Sequence, residues 1–243
     1  MEKKIVIYHG SKDIVRNPSL YGGKKTNDYG YGFYCTKEIE LANEWACQNK
    51  MDGYTNEYIL DLKGLKILDL SKKNYHILNW IALLLKYRLP AGLSFNDELV
   101  KNYIIEKFSI NLDDIDIIIG YRADDSYFSF ARDFVKNSIT VSQLSKAMEL
   151  GKLGLQVVLH SHKAFEHIKY VKSYKVNSDV YYTKRHVRDL KAKEDYQNVI
   201  RHTPINKDSL FVMDIIRQGV ENDDPRLSRN VSRWCYANIS RSI

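Results

Sequence analysis

Four short pieces of this 243-residue chain carry residue types suited to chemistry. Tyr8-His9-Gly10-Ser11 closes an apolar run, and Gly30-Tyr31-Gly32-Phe33-Tyr34-Cys35-Thr36 sets three aromatics among two glycines. Ala123-Asp124-Asp125 places two carboxylates side by side, and Gln156 is the one polar residue at the start of an apolar run. Glycines let a ligand or another backbone approach closely, tyrosine faces hold flat rings, and a histidine offers a hydrogen bond or a proton. A flat ligand held against a tyrosine face suits this set. Each piece also has a plain structural reading: an aromatic core corner, a hydrogen-bonded strand-end histidine, a helix cap.

The surrounding pattern says what must position them. Lys4 to Tyr8 reads as a buried first strand ending on His9-Gly10-Ser11. Asn27 to Gly32 reads as a turn, Phe33 to Thr36 as a short strand, and Lys37 to about Lys50 as a helix whose stripe is Ile39, Leu41, Ala42, Trp45 and Ala46. Glu57–Leu62 and Lys66–Leu70 alternate about Lys63-Gly64, which predicts a hairpin. Helices are predicted over 75–87, 96–108 and 140–150, with Ser94 or Asn96 and Thr140 or Ser142 as caps. Ile115–Gly120 and Leu155–His160 read as strands; a helix follows the first to about Val135, and a short one, Lys163 to Ile168, follows the second. Tyr170–Val176 and Val180–Thr183 are the last predicted strands, and Ser209–Gln218 is one more helix before an Arg-rich end past Pro225. No regular βαβ alternation and no glycine-rich phosphate loop occurs, so the class is α+β rather than a Rossmann or P-loop fold.

The chain is 44% hydrophobic and 28% charged, an ordinary globular balance with enough length for a real core. Its net charge of +7 favours an anionic partner. From Lys169 to Pro204 nine Lys or Arg face four Asp or Glu, so residues 177–243 read as a basic, mostly helical extension of a domain over 1–176. Cys35, Cys47 and Cys235 show neither metal spacing nor an even disulfide framework, which predicts a reducing cytoplasm and no metal. No signal-peptide core follows Met1, and the run from Ile77 to Leu85 is too short to span a bilayer.

On Tyr8-His9-Gly10-Ser11 and Tyr29-Gly30-Tyr31-Gly32-Phe33-Tyr34-Cys35-Thr36 leading into a helix, the chain resembles the ADP-ribosyltransferase superfamily. The likeness is to its histidine–tyrosine–glutamate branch, that of poly(ADP-ribose) polymerases and diphtheria toxin, and to a small bacterial family within it. It covers about Ile5 to Ile168. The resemblance implies a split β-sheet core of two packed, mostly antiparallel sheets, with NAD+ as donor substrate. It implies mono-ADP-ribosyl transfer to a macromolecular acceptor, nucleic acid or protein, in a toxin-like role with a neutralising partner protein. His9 would bond a ribose hydroxyl, the Gly10 backbone would hold the carboxamide, and Tyr34 and Trp45 would sandwich the nicotinamide. Ser11, Tyr29, Gly32, Phe33, Thr36 and Asp124 would complete the donor site. Ala42 stands where the polymerases have a serine that bonds the carboxamide.

Gln156 stands where the family has a catalytic glutamate. A glutamine accepts a hydrogen bond but is no general base, so Asp125, or Asp124, is the candidate for the missing carboxylate, ahead of Glu166 and Glu194. That departure keeps open a degenerate NAD or nucleotide-binding module. The basic region, with tyrosines 170, 174, 181, 182 and 196 among its charges, keeps open a nucleic-acid-binding protein without transferase activity.

Overall fold

Apolar residues at every second position along several short runs, with helical runs between them, produce one sheet and a set of helices. The structure, a computed structural model, describes residues 4–88, 92–123, 125–150 and 154–228. The elements are, in order, β1 (Lys4–Ser11), β2 (Phe33–Thr36), α1 (Ile39–Ala46), β3 (Gly53–Asp61), β4 (Ile67–Asp69), α2 (Ile77–Tyr87) and α3 (Phe95–Phe108). Then come β5 (Ile117–Tyr121), α4 (Asp125–Val135), α5 (Val141–Ala147), β6 (Leu155–Leu159), α6 (His162–Glu166), β7 (Ile168–Val176), α7 (Ser178–His202), α8 (Val212–Gln218) and α9 (Pro225–Ser228). This is an α+β arrangement. Among the described residues no helix is long and apolar enough to cross a membrane.

The chain divides into two compact units. The first, Met1–Asp69, Leu112–Arg122 and Leu153–Lys191, holds every strand in the order β4-β5-β6-β2-β1-β3-β7. Among the described residues only β4 and β5 pair in parallel. Two packed sheets are expected from the resemblance, whereas hydrogen bonding here joins all seven strands into one. The join is narrow, because β1 and β2 share a single register pair, Tyr8↔Thr36. Side chains alternate across each strand. Ile5 and Ile7 of β1, Phe33 and Cys35 of β2, Tyr58 and Leu60 of β3 and Val157 and Leu159 of β6 therefore fall on one face, where they form a core closed by Ala164 of α6. The opposite face carries Gly10, Tyr34, Thr36 and Gln156, and α1 lies against it at Gly10.

The second unit, Leu70–Asn111, Ala123–Lys152 and Ala192–Ile243, is helical among its described residues. Ser94 caps α3 through the Asp97 N–H, Thr140 caps α5 through the Gln143 N–H, and both caps are completed by a reciprocal side-chain bond. The α2 run Ile77 to Leu85 is buried all round, as a core helix is. Tyr196 stacks on Phe130 with centroids 3.8 Å apart and donates its hydroxyl to Asp133 Oδ2 at 2.8 Å.

Two predicted elements differ. The hairpin about Lys63-Gly64 does not form: β3 is paired on both edges, by β1 and β7, and Ile67-Leu68-Asp69 pairs instead with Ile117-Ile118-Ile119. Asp116 secures that pairing, accepting the Lys66 N–H at 2.8 Å on one oxygen and the Ser161 hydroxyl at 2.5 Å on the other. Val180–Thr183, predicted as a strand, opens α7. Local caps override β propensity there: Asp52 accepts the Ser178 N–H at 3.0 Å, and Asn177 accepts the Asp179 N–H at 2.8 Å. Asp124, the Asp125 side chain, Cys235 and the Arg-rich end past Ser228 lie outside the described residues.

Candidate functional site

The site begins where the sheet parts. Beyond Tyr8↔Thr36, β1 continues as His9-Gly10-Ser11 without a ladder to β2. The His9 ring spans the gap, with Nδ1 2.7 Å from the Tyr34 carbonyl oxygen. A carbonyl can only accept, so Nδ1 carries the proton, and in the neutral ring Nε2 is left as an acceptor. The ring is held by Phe33, with centroids 4.3 Å apart. The strand beneath it is braced by Asn56, fully buried, whose Nδ2 donates to His9 O at 3.2 Å and to Ser11 Oγ at 2.9 Å.

Tyr34 leaves β2 on the other face and turns back on its own loop. Its hydroxyl donates to Gly30 O at 2.8 Å and accepts the Tyr29 N–H at 3.0 Å. Gly30 has φ +78°, a left-handed value that suits glycine, and its N–H closes the turn on Asn27 O at 3.0 Å. The turn buries Tyr29, which donates to Tyr121 O at 2.8 Å. It also buries Asp28 beside β6, where Gln156 Nε2 donates to Asp28 Oδ2 at 2.8 Å and to Tyr121 O at 3.3 Å. A carboxylate thus stands beside Gln156. Sequence reasoning missed Asp28, although it lies in the turn before Tyr34. Burial against a residue 128 positions away has no local signature.

On that same face, α1 sits so close to β1 that a Cβ on Gly10 would meet Ala42 O at 1.9 Å. This approach brings the Trp45 Cβ to Gly10, and the Arg122 guanidinium lies 4.2 Å from the Trp45 ring centroid. Trp45 is buried, with no hydrogen-bond partner for its Nε1 among the described residues. The remaining expected residues have structural placements. Ser11 Oγ donates to Asp13 O at 2.6 Å, and Thr36 Oγ1 accepts the Glu38 N–H at 3.1 Å. Phe33 faces the core, and Gly32 is pressed on Val158 and Leu159. Asp125 heads α4 in the second unit, and Glu166 and Glu194 are exposed.

Burial lowers the His9 pKa from its ordinary 6.5, and the bond to Tyr34 O only partly opposes this. Burial lowers His160 likewise, against its bond to Tyr31 O. In the unfolded chain both rings take up protons near pH 6.5, whereas the folded chain resists until lower pH. Their contribution is therefore complete above 6.5 and is lost as the pH falls toward the folded values. The melting temperature should drop on acidification through that window, and His9→Gln should flatten part of the drop. A wild-type melting temperature that rises over the same window would contradict this assignment.

Residues 5–170 match the family described as Protein of unknown function (DUF3990). The chain belongs to that family. The DUF3990 match takes in every element of the parted sheet as far as the first residues of β7, along with His9, Tyr34, Asp28 and Gln156. No curated protein and no solved structure matches the chain.

The first half of α7, C-terminal to the DUF3990 match, commits part of its charge internally. Glu40 and Glu44, four apart on α1, face Lys184 and Arg188, four apart on α7, at 3.1 and 2.5 Å. Tyr181 donates to Glu40 at 3.1 Å. Two cations of the basic region thus hold α7 to the helix that carries Trp45.

Proposed function

We propose that this protein is a mono-ADP-ribosyltransferase that takes NAD+ as donor and a macromolecule, protein or nucleic acid, as acceptor. The observation that carries the reading is the His9 ring across the parted strands. Its Nδ1–H is fixed on Tyr34 O at 2.7 Å, which leaves Nε2 to accept a ribose hydroxyl. The Gly10 peptide borders the same opening, where backbone N–H and C=O groups suit a carboxamide. Tyr34 offers a ring whose hydroxyl is already anchored, so stacking on it would cost little further ordering.

In the transfer, the bond between the ribose anomeric carbon and the nicotinamide nitrogen breaks, and its electron pair leaves on the ring, which becomes neutral. The acceptor's nucleophile forms the new bond to that carbon and gives up its proton to solvent. The protein's contribution is positioning and electrostatic stabilisation of the positive charge that develops on the sugar. A toxin-like role in the cytoplasm, with a neutralising protein partner, belongs to the same proposal and rests on the sequence resemblance.

The test is purified protein incubated with NAD+ labelled in the adenosine half, with and without cell extract. The expected result is release of nicotinamide and label on a macromolecular fraction. Tyr34→Phe should retain NAD+ binding by calorimetry because the ring remains, whereas Tyr34→Ala should lose it. Neither binding nor nicotinamide release by the wild type would sink the proposal.

A further inference from the structure

We infer that Asp28 is a positioning residue for this reaction: it locks the Gln156 amide so that the pair together replaces the missing glutamate. The inference rests on the donor reading above. Gln156 has two amide hydrogens, and Nε2 lies 2.8 Å from Asp28 Oδ2 and 3.3 Å from Tyr121 O. Both partners accept, so the amide has one orientation, with Nε2 turned toward them and Oε1 turned away. No hydrogen bond to Oε1 occurs among the described residues. Asp28 is 6% exposed and Gln156 4% exposed, so the carboxylate is set in a site where burying charge is costly.

Gln156 pairs with Thr36 across β6 and β2 and falls on the Tyr34 face. Its free acceptor therefore belongs to the face of the Tyr34 ring, so that a donor bonded to both Gln156 and the His9 ring, which alternation puts on the Phe33 face, would lie across the parted strands. A carboxylate accepting from the amide nitrogen draws that group toward its charge-separated form and makes Oε1 a stronger acceptor, the usual cooperativity of a hydrogen-bond chain. A ribose hydroxyl bonded to Oε1 would then be coupled to the Asp28 charge. Tyr29, from the same turn, donates to the same Tyr121 carbonyl that Gln156 uses, which ties the turn carrying Asp28 to β5.

The experiment is an exchange of the pair, read as kcat and KM for nicotinamide release together with the pH profile and melting temperature. Asp28→Asn frees the amide to turn over and should lower kcat by about 10²-fold, the scale of a displaced reacting geometry, with KM for NAD+ near the wild-type value. Gln156→Glu puts two carboxylates at hydrogen-bond distance; they share a proton, so activity should survive only at lower pH than in the wild type. The double variant Asp28→Asn/Gln156→Glu restores one amide and one carboxylate in reverse order and should recover turnover and the wild-type pH profile.

A folded Asp28→Asn that binds NAD+ and keeps wild-type kcat overturns the inference and leaves the donor reading intact. If Asp28→Asn does not fold, the double variant decides, and a folded double variant without turnover overturns the inference. A wild type that binds NAD+ but releases no nicotinamide also overturns it while leaving the donor site standing. A wild type that does not bind NAD+ overturns both.

Discussion

A Gly10→Ala variant loses about 3 kcal/mol or more of folding stability, the upper range for forcing atoms into a packed interior. The added Cβ would lie 1.9 Å from Ala42 O, 2.7 Å from Ala46 N and 2.9 Å from Trp45 Cβ. The first two are helix backbone atoms and cannot step aside as the end of a flexible side chain can. Relief requires α1 to lift from β1. Gly53 meets the same helix on β3, where a Cβ would sit 2.1 Å from Ala46 O, so shifting α1 past one glycine does not free the other. Gly64→Ala is the control: its φ of +75° is left-handed, but nothing lies within 4 Å. It should cost only the conformational penalty of about 1–2 kcal/mol. Urea unfolding measures both, and a Gly10→Ala cost no larger than that of Gly64→Ala would show that α1 is free to move. If the protein binds NAD+ as proposed, its affinity in a folded Gly10→Ala variant should fall too, because the displaced helix carries Trp45.

Arg188→Ala is the second large effect, about 3–5 kcal/mol, as expected when one partner of a buried ion pair is removed. The Arg188 and Glu44 side chains are 16% and 10% exposed and lie 2.5 Å apart, so deleting the guanidinium removes the cation beside a largely desolvated carboxylate. Lys184→Ala, one turn earlier, should cost no more than about 1 kcal/mol, because that pair with Glu40 is solvated and screened. Replacing both buried charges, Glu44→Gln with Arg188→Met, should recover most of the loss. Denaturant melts of the three variants check this ordering. Equal effects at Arg188 and Lys184 would mean that Glu44 is not desolvated in solution. The comparison also bears on the basic charge of the chain, since cations that hold α7 on α1 are partly neutralised by Glu40 and Glu44.

Much of the site's frame is legible in a short window of sequence. The apolar run Ile5-Val6-Ile7 announces β1, although Val6 turns out exposed; Leu41, Ala42 and Trp45 announce α1 by helical spacing; and of the offered caps Ser94 or Asn96 and Thr140 or Ser142, Ser94 and Thr140 cap their helices. These signals involve residues within about one turn or two of each other, so local propensity and periodicity suffice to read them. The glycine at position 10 is visible as a place of close approach, but only folding shows that the chain's own helix makes the approach.

Pairing and burial across the chain come from elsewhere. Lys66–Leu70 looks like the second arm of a hairpin, yet the edge of β3 it would use belongs to β7, and Ile67 finds Ile117 instead. Val180–Thr183 has strand composition, but a cap from Asp52, 126 positions before Ser178, begins a helix there. Asp28 and Gln156 meet only because β2 and β6 become antiparallel neighbours and the turn before β2 folds back along β2, which brings Asp28 to Gln156 opposite Thr36. Such contacts depend on which surfaces are left to bury once every strand has chosen its partner, and that is a property of the whole chain rather than of any stretch within it.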